Sequence, residues 1–345
     1  SDLYSYNHDW LAVHVNDTGN EGDEGKPTEN LSSVLLENQH EVLIEDLVQF
    51  YLHPAKYYLN KILKVNLFFE SEVVDDDEPF SLDFLQQYQV KQEVVSTFVQ
   101  GGSTLDSHEV NDKRYFTEGV SAFGEIGDRQ WLKVRSSIDP VLKHCQQYMQ
   151  DKIVAPAEIN LSFLLKGEEH QTRLLGWQKN IYANNLVKVV PSKLKAKTLL
   201  PALIEHAALC AAGRSGECFV ISQDYLVNFK NVPSVKAKLY LEALIAAYKT
   251  GQLQPLALLP QTAWQLYNPL HIKEKAGALV DNRLKEAQKS FYGLVGPFGQ
   301  EGEYQDLNIR RCFGELGEIP QTTIDSAKLL YEFWQTEKAM EVSPV

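Results

Sequence analysis

HQTRLLGWQKNIYANNLVKVVPSKLKAKTLLPALI, residues 170–204, holds six Arg or Lys residues and no Asp or Glu, in a chain of 345 residues that has 46 acids. Ammonium groups gathered without counter-charges offer a place for phosphates or for the carboxylates of a partner. Lys193, Lys195 and Lys197 alternate, so a strand continuing through them puts all three on one face, with Lys188 close by in sequence. Such a face suits a DNA backbone or an acidic partner surface, and it equally suits an edge strand guarded against aggregation. The opposite charge is concentrated in ESEVVDDDE, residues 70–78, six acids with no base. Packed into a helix or strand they would repel one another, which predicts a surface loop, and the run lacks the alternating ligands and glycine of an EF-hand.

Other residue types with chemical potential point to structure. Cys145, Cys210, Cys218 and Cys312 are too far apart for a C-x-x-C zinc site and too few to staple the chain, so free thiols are expected. GRSG, from Gly213, lacks the Lys of a Walker phosphate loop and reads as a helix stop. His53-Pro54 has no second His or Cys at metal spacing and predicts a bend between helices. Trp177 reads as core filling in preference to a platform for bases.

The surrounding pattern predicts the elements that position these residues. From Leu43, LIEDLVQFYLHPAKYYLNKIL sets Leu47, Phe50 and Tyr51 at helical spacing and restarts at Pro54. A helix opened by Ser81 has Leu85, Tyr88, Val95 and Phe98 as its buried stripe, and VSAFGEIGDRQWLKVRSSIDPVLKHCQQYM is mostly helical, with Pro140 opening a new segment. AEINLSFLL, TRLLGWQKNIY and NLVKVVPSKLK predict three strands joined by polar turns at residues 166–170 and at Asn184-Asn185. Thr198 then opens an apolar helix that stops at Gly213, and CFVISQDYLVNF is a strand or a hairpin. Ser234 caps a helix closed by Gly251, Asp281 caps one closed by Gly293, PLALLP is a further short strand, and residues 324–334 suit a last helix. Helices, a compact sheet and helices again make an α/β core with helical flanks.

DLVQFYLHPAKYYLNKILKV, FGEI, LLGWQKNIYANNLVKVVPSKL and IEHAALCAAGRSGECFVI together resemble the C-terminal domain family of RecC, the gamma subunit of exodeoxyribonuclease V. The resemblance runs from about Leu43 to about Trp334. It implies a PD-(D/E)XK nuclease-like core, a central mixed sheet flanked by helices, with additional helices and without the catalytic residues. An active relative carries Gly-x-x-Asp, then Asp-x-Lys on the next strand, then a helix with Gln and Tyr one turn apart. Here Gly176-Trp177-Gln178 leads to Lys179 at the place of the metal-binding Asp, and Val189-Val190-Pro191 stands at that of Asp-x-Lys. LLPALIEHAAL offers neither Gln nor Tyr, and Glu125, in FGE, is the acid left at a matching position. One carboxylate does not hold Mg²⁺ against its hydration shell.

By this resemblance the domain is not itself an enzyme and needs no metal or other cofactor. It works with RecB-like and RecD-like subunits in a bacterial helicase-nuclease for double-strand break repair by recombination, and it touches DNA locally at the fork. The turn at residues 166–170 is a candidate projecting element. The rival reading is an active Mg²⁺-dependent nuclease with displaced acids, Glu125 joined by Glu168, Glu169 or Glu205.

A net charge of -13 argues against a protein that grips DNA over its whole surface. Residues 1–42 read as a leader and a flexible linker, NDTGNEGDEGKPTEN, that has no apolar residue; residues 43–345 form the nuclease-like domain. No charged n-region with an apolar run opens the chain, and no apolar stretch has membrane-spanning length, so a cytoplasmic location without membrane contact is expected.

Overall fold

The computed structural model describes residues 40–67, 84–101, 125–149, 153–275, 278–294 and 301–345. The leader, the linker, Ser81 and the acidic run of residues 70–78 lie outside them.

Along the chain, β1 (Glu41–Leu43) leads into α1 (Ile44–Leu52) and α2 (Pro54–Tyr57), the latter prolonged by a π turn over Tyr58–Ile62. The bend falls at His53, as the His-Pro pair predicts; Pro54 occupies the first helical turn, where its missing N–H costs nothing. His53 Nδ1 accepts the Lys56 N–H at 3.2 Å, and its Nε2 meets Asp306 at 3.2 Å, which ties this bend to the C-terminal part of the chain. Next come α3 (Phe84–Gly101) and α4 (Glu125–Tyr148). Val90, Val94, Val95 and Phe98 form the buried stripe of α3, whereas Tyr88 is exposed. Helix α4 runs straight through Pro140 where a new segment was expected.

Two sheets follow. In the first, β2 (Ala157–Phe163) pairs antiparallel with β3 (Thr172–Gln178), and β1 joins the other side of β3 in parallel. The second has the order β10-β7-β6-β5-β4 and comprises β4 (Ile181–Tyr182), β5 (Asn185–Val189), β6 (Cys218–Ile221), β7 (Tyr225–Phe229) and β10 (Met340–Pro344). Its β5 and β6 are parallel and joined by the crossover helix α5 (Ala196–Ala211); its other pairs are antiparallel. The predicted second strand therefore breaks after Gln178, where Asn180 takes a φ of +59°, and the third ends at Val189 instead of continuing to Lys195.

The remaining helices are α6 (Ser234–Leu253), α7 (Pro260–Tyr267), α8 (Arg283–Tyr292), α9 (Leu307–Phe313), α10 (Gln321–Ala327) and α11 (Phe333–Thr336), with the hairpin β8 (Ile272–Lys275) and β9 (Ala278–Asp281) before α8. The stretch predicted as a strand in PLALLP is an extended loop leading into α7.

Burial explains the layering. Strand β6, CFVI, is buried at every position, the mark of a strand covered on both faces. Phe219 and Ile221 face Val134, Ile138, Val141 and Leu142 of α4, while Cys218 and Val220 join the main core with α5 and α6. Helix α5 is apolar nearly all round because it lies between the two sheets' neighbourhoods: Leu199, Leu200, Leu203 and Ile204 share one core with Ile159, Leu161 and Leu174 of the first sheet. Cys145, Cys210 and Cys218 are buried free thiols and Cys312 is a half-buried one, in line with the spacing argument.

Gly251 does not close α6 but lies inside it, with Phe50 against its bare Cα; a Cβ there would come 2.3 Å from Phe50 Cζ. Phe50 is fully buried and held edge-on by Tyr51, Tyr57 and Tyr248. Gly251→Ala gains about 1 kcal/mol of helix propensity but forces the ring to shift, an overpacking cost of about 1–3 kcal/mol or more. The expected result is a lower urea midpoint; a raised midpoint would show that the ring moves freely.

Candidate functional site

Lys179 stands exposed immediately after β3. Its neighbour Asn180 accepts the Val187 N–H at 3.0 Å, so Lys179 lies beside the strand whose last residue is Val189. Val189 packs, half-buried, against the cluster of α3 and α4, and Pro191 is buried. Glu125 is elsewhere. It is the first residue of α4, its side chain 90% exposed, with Arg129 at 3.9 Å as an i,i+4 partner. Farther along α4, Ser137 Oγ accepts from Gln223 Nε2 at 3.4 Å while Gln223 N–H donates to the carbonyl of Ser192, in the segment after β5, at 3.1 Å. From Ser137 back to Glu125 is about 18 Å along the helix axis at about 1.5 Å per residue. Lys179 and Val189 thus lie on neighbouring backbone segments, and Glu125, exposed at the start of α4, does not join them.

Lys188 points to the other face of β5, toward α5, where its Nζ meets Glu205 at 2.7 Å. The two side chains are largely buried, and burial raises the Glu205 carboxyl above its ordinary range while Lys188 pulls it back. Glu168, in the turn of residues 166–170, is bound by Lys249 of α6 at 2.7 Å and by Thr172 at 3.1 Å, which pins that turn to α6. Glu169 is exposed. Among the described residues no three His, Cys, Asp or Glu side chains are placed to hold a metal ion.

The expected lysine face is not made by a strand. After β5 the backbone is irregular, its Leu194 N–H donated to Asp224 at 2.8 Å and its Ala196 N–H to Gln261 at 2.9 Å, and helix α5 already begins at Ala196. Lys193 and Lys195 precede the helix and Lys197 lies in its first turn, which is free of acids. All three are exposed and nevertheless converge, on one wall of a groove of about 460 Å³ whose other walls come from α7, α8 and the segment around Glu303. Lys188 does not line it.

Lys289 of α8 adds a fourth ammonium, and Gln261 and Gln265 of α7 add polar side chains. Nothing in the local sequence pointed to these three, because they reach the groove only through packing of distant helices. Four lysines in the lining are matched by four acids, Asp224, Glu286, Glu301 and Glu303, so the groove has no excess of formal charge. Glu303 is half-buried, and desolvation raises its carboxyl, while the first N–H groups of α7, on Gln261 and Thr262, stabilise its anion from 2.9 and 2.6 Å.

Trp177 is a second correction. It is 56% exposed on the outer face of the first sheet, opposite Glu158, and fills no core. Gly176 before it lets β3 press on α1: a Cβ there would meet Ile44 Cβ at 3.1 Å.

Fold and groove together define a mixed α/β domain with a polar, charge-balanced groove and with an ammonium and two apolar side chains at the positions where acids were sought. Residues 39–271 match the family model of the RecC C-terminal domain, and the chain belongs to that family. It is similar to the RecBCD enzyme subunit RecC of Escherichia coli strain K12, 26% identical over 287 residues that cover 81% of this chain and 24% of that protein. The RecBCD enzyme subunit RecC of Buchnera aphidicola subsp. Acyrthosiphon pisum is 22% identical over 279 residues, 79% of this chain and 24% of that protein. That of Mycolicibacterium smegmatis is 24% identical over 249 residues, 69% of this chain and 22% of that protein. The chain spans about a quarter of the length of the curated relatives it matches. Among the described residues no helix is long and apolar enough to cross a membrane.

Proposed function

We propose that this chain is the non-catalytic, nuclease-like domain of a RecC-type subunit, acting in assembly with RecB-like and RecD-like subunits and in handling DNA at the fork of a recombination-repair helicase-nuclease. The order helix α4, antiparallel β2 and β3, antiparallel β4 and β5, crossover α5 and parallel β6 follows the element order of a PD-(D/E)XK core, with the strands divided between two sheets where one central mixed sheet was expected. The observation that carries the absence of catalysis is the occupancy of the acid positions. Lys179, Val189 and Pro191 present an ammonium, an isopropyl group and a ring, and the remaining carboxylate, Glu125, stands 90% exposed at the first residue of α4, about 18 Å along the helix axis from Ser137. A hard cation needs several oxygens at about 2.1 Å, which this arrangement does not supply. Of the acids of the rival reading, Glu168 holds Lys249, Glu205 holds Lys188, and Glu169 is exposed.

The reading is tested with the purified 345-residue chain. Capture by a RecB-like or RecD-like subunit, tried separately, is expected, as is no cleavage of duplex or single-stranded DNA in Mg²⁺ or Mn²⁺. Cleavage lost on Glu125→Ala or Glu205→Gln would establish the displaced-acid nuclease instead.

A further inference from the structure

We propose that the groove of Lys193, Lys195, Lys197 and Lys289 seats a short acidic segment of another protein subunit, one with an apolar residue between its carboxylates. This rests on the assembly reading above and gives the partner its chemistry. The groove's own acids are mostly engaged by its own donors. Asp224 accepts the Leu194 N–H and the Ser222 hydroxyl, Glu303 accepts two backbone N–H groups at the start of α7, and Glu286 holds Lys289. Lys193, Lys195 and Lys197 form no ion pair among the described residues, so three ammonium groups on one wall await carboxylates. Between the charged walls lie Leu194, half-buried, and Leu294, exposed, which give an apolar side chain a surface to cover.

Two other occupants fit less well. A DNA duplex carries a charge about every 1.7 Å of its axis and is held by an excess of cations. The three lysines of this wall, unpaired among the described residues, match the few carboxylates of a short segment and not the long run of phosphates of a duplex, in a chain of net charge -13. The lysines guard no edge either, since the segment bearing them belongs to no strand.

The test is capture of each partner subunit by the full chain, followed by carbodiimide coupling, which joins a lysine amine to a carboxylate only in direct contact. Isopeptide bonds from Lys193, Lys195 or Lys197 to Asp or Glu of the partner are expected. The triple variant Lys193→Glu, Lys195→Glu, Lys197→Glu should weaken capture by about tenfold or more, while the triple change to Arg keeps it within about twofold. All three side chains are exposed, and an unchanged thermal midpoint verifies that the variants fold. Capture that is indifferent to charge reversal and yields no such bonds overturns the groove's role and leaves the assembly reading standing. Absence of capture by any subunit overturns both. Single-stranded oligonucleotide that binds the chain, displaces the partner and loses its binding in the reversed variant assigns the groove to nucleic acid and overturns the proposal.

Discussion

Lys188→Met destabilises the chain by about 3 kcal/mol at neutral pH, because it leaves the Glu205 carboxylate in the core without its counter-ion. The pair sits between β5 and α5 with about a fifth of each side chain exposed, 23% and 17%, so the low end of the range of about 3–5 kcal/mol for broken buried pairs applies. Glu205 already has its carboxyl raised by burial, and removing Lys188 raises it further. A carboxyl whose folded value exceeds its unfolded value favours folding when protonated, so the penalty is smallest below the unfolded value and grows as pH rises through the folded one. The variant should therefore be nearly as stable as the parent near about pH 4 and fall behind it by pH 7. Pairing the change with Glu205→Leu removes both charges and should restore stability to within about 1 kcal/mol. Urea unfolding of the four chains closes the cycle. Equal losses at both pH values, or a double variant as weak as the single, would refute the account.

His206 sets the second large effect. It is 98% hidden within α5 (2% exposed), its Nε2 3.1 Å from the Lys230 carbonyl, its ring over Trp334 and Cys210 Sγ at 3.6 Å. Burial pushes its pKa down to about 4, the carbonyl of Lys230 opposing. The unfolded chain takes up this proton near about pH 6.5, the folded chain only near about 4, so folding stability falls through that window and levels off below it. At about 1.4 kcal/mol per unit the group accounts for a loss of about 3 kcal/mol. His206→Gln keeps a donor for the Lys230 carbonyl and removes the titration. It should flatten the decline of the urea midpoint between about pH 6.5 and 4, and an unchanged slope would assign the acid sensitivity elsewhere. The same geometry explains why Cys210, His206 and Asn231 are no nucleophilic triad. Cys210 Sγ faces the Asn231 carbonyl oxygen at 3.3 Å, its thiol is raised by burial, and both Cys210 and His206 are closed to solvent.

Elements with their signal in adjacent residues were legible in the sequence. The His53-Pro54 bend and the apolar α5 with its stop at Gly213 (φ +77°) each follow from local sterics or capping. What was not legible depends on distant partners. Three-residue β1 exists because β3, some 130 residues on, offers a parallel edge, and β10 exists because β7 offers an antiparallel one. Gly251 looked like a terminator because glycine commonly is one; Phe50, two hundred residues earlier, is what requires it. The lysines illustrate the same limit for the site. Their charge was visible, but the expected face depended on alternation in a strand, whereas the backbone here is pinned by Asp224 and Gln261 and Lys188 points away to Glu205. The acids that balance them come from elements that no local pattern connects.

Helix α5 starts at the lysine groove and ends 16 residues later beside Gly213, walled along its length by side chains from both sheets. Close-packed interiors transmit strain, so a pull at the mouth of this helix, about 24 Å from its far tip, is passed to the side chains that wall it, with Pro201 leaving one backbone bond unmade on the way. Whatever grips the lysine end therefore holds the whole spine of the domain.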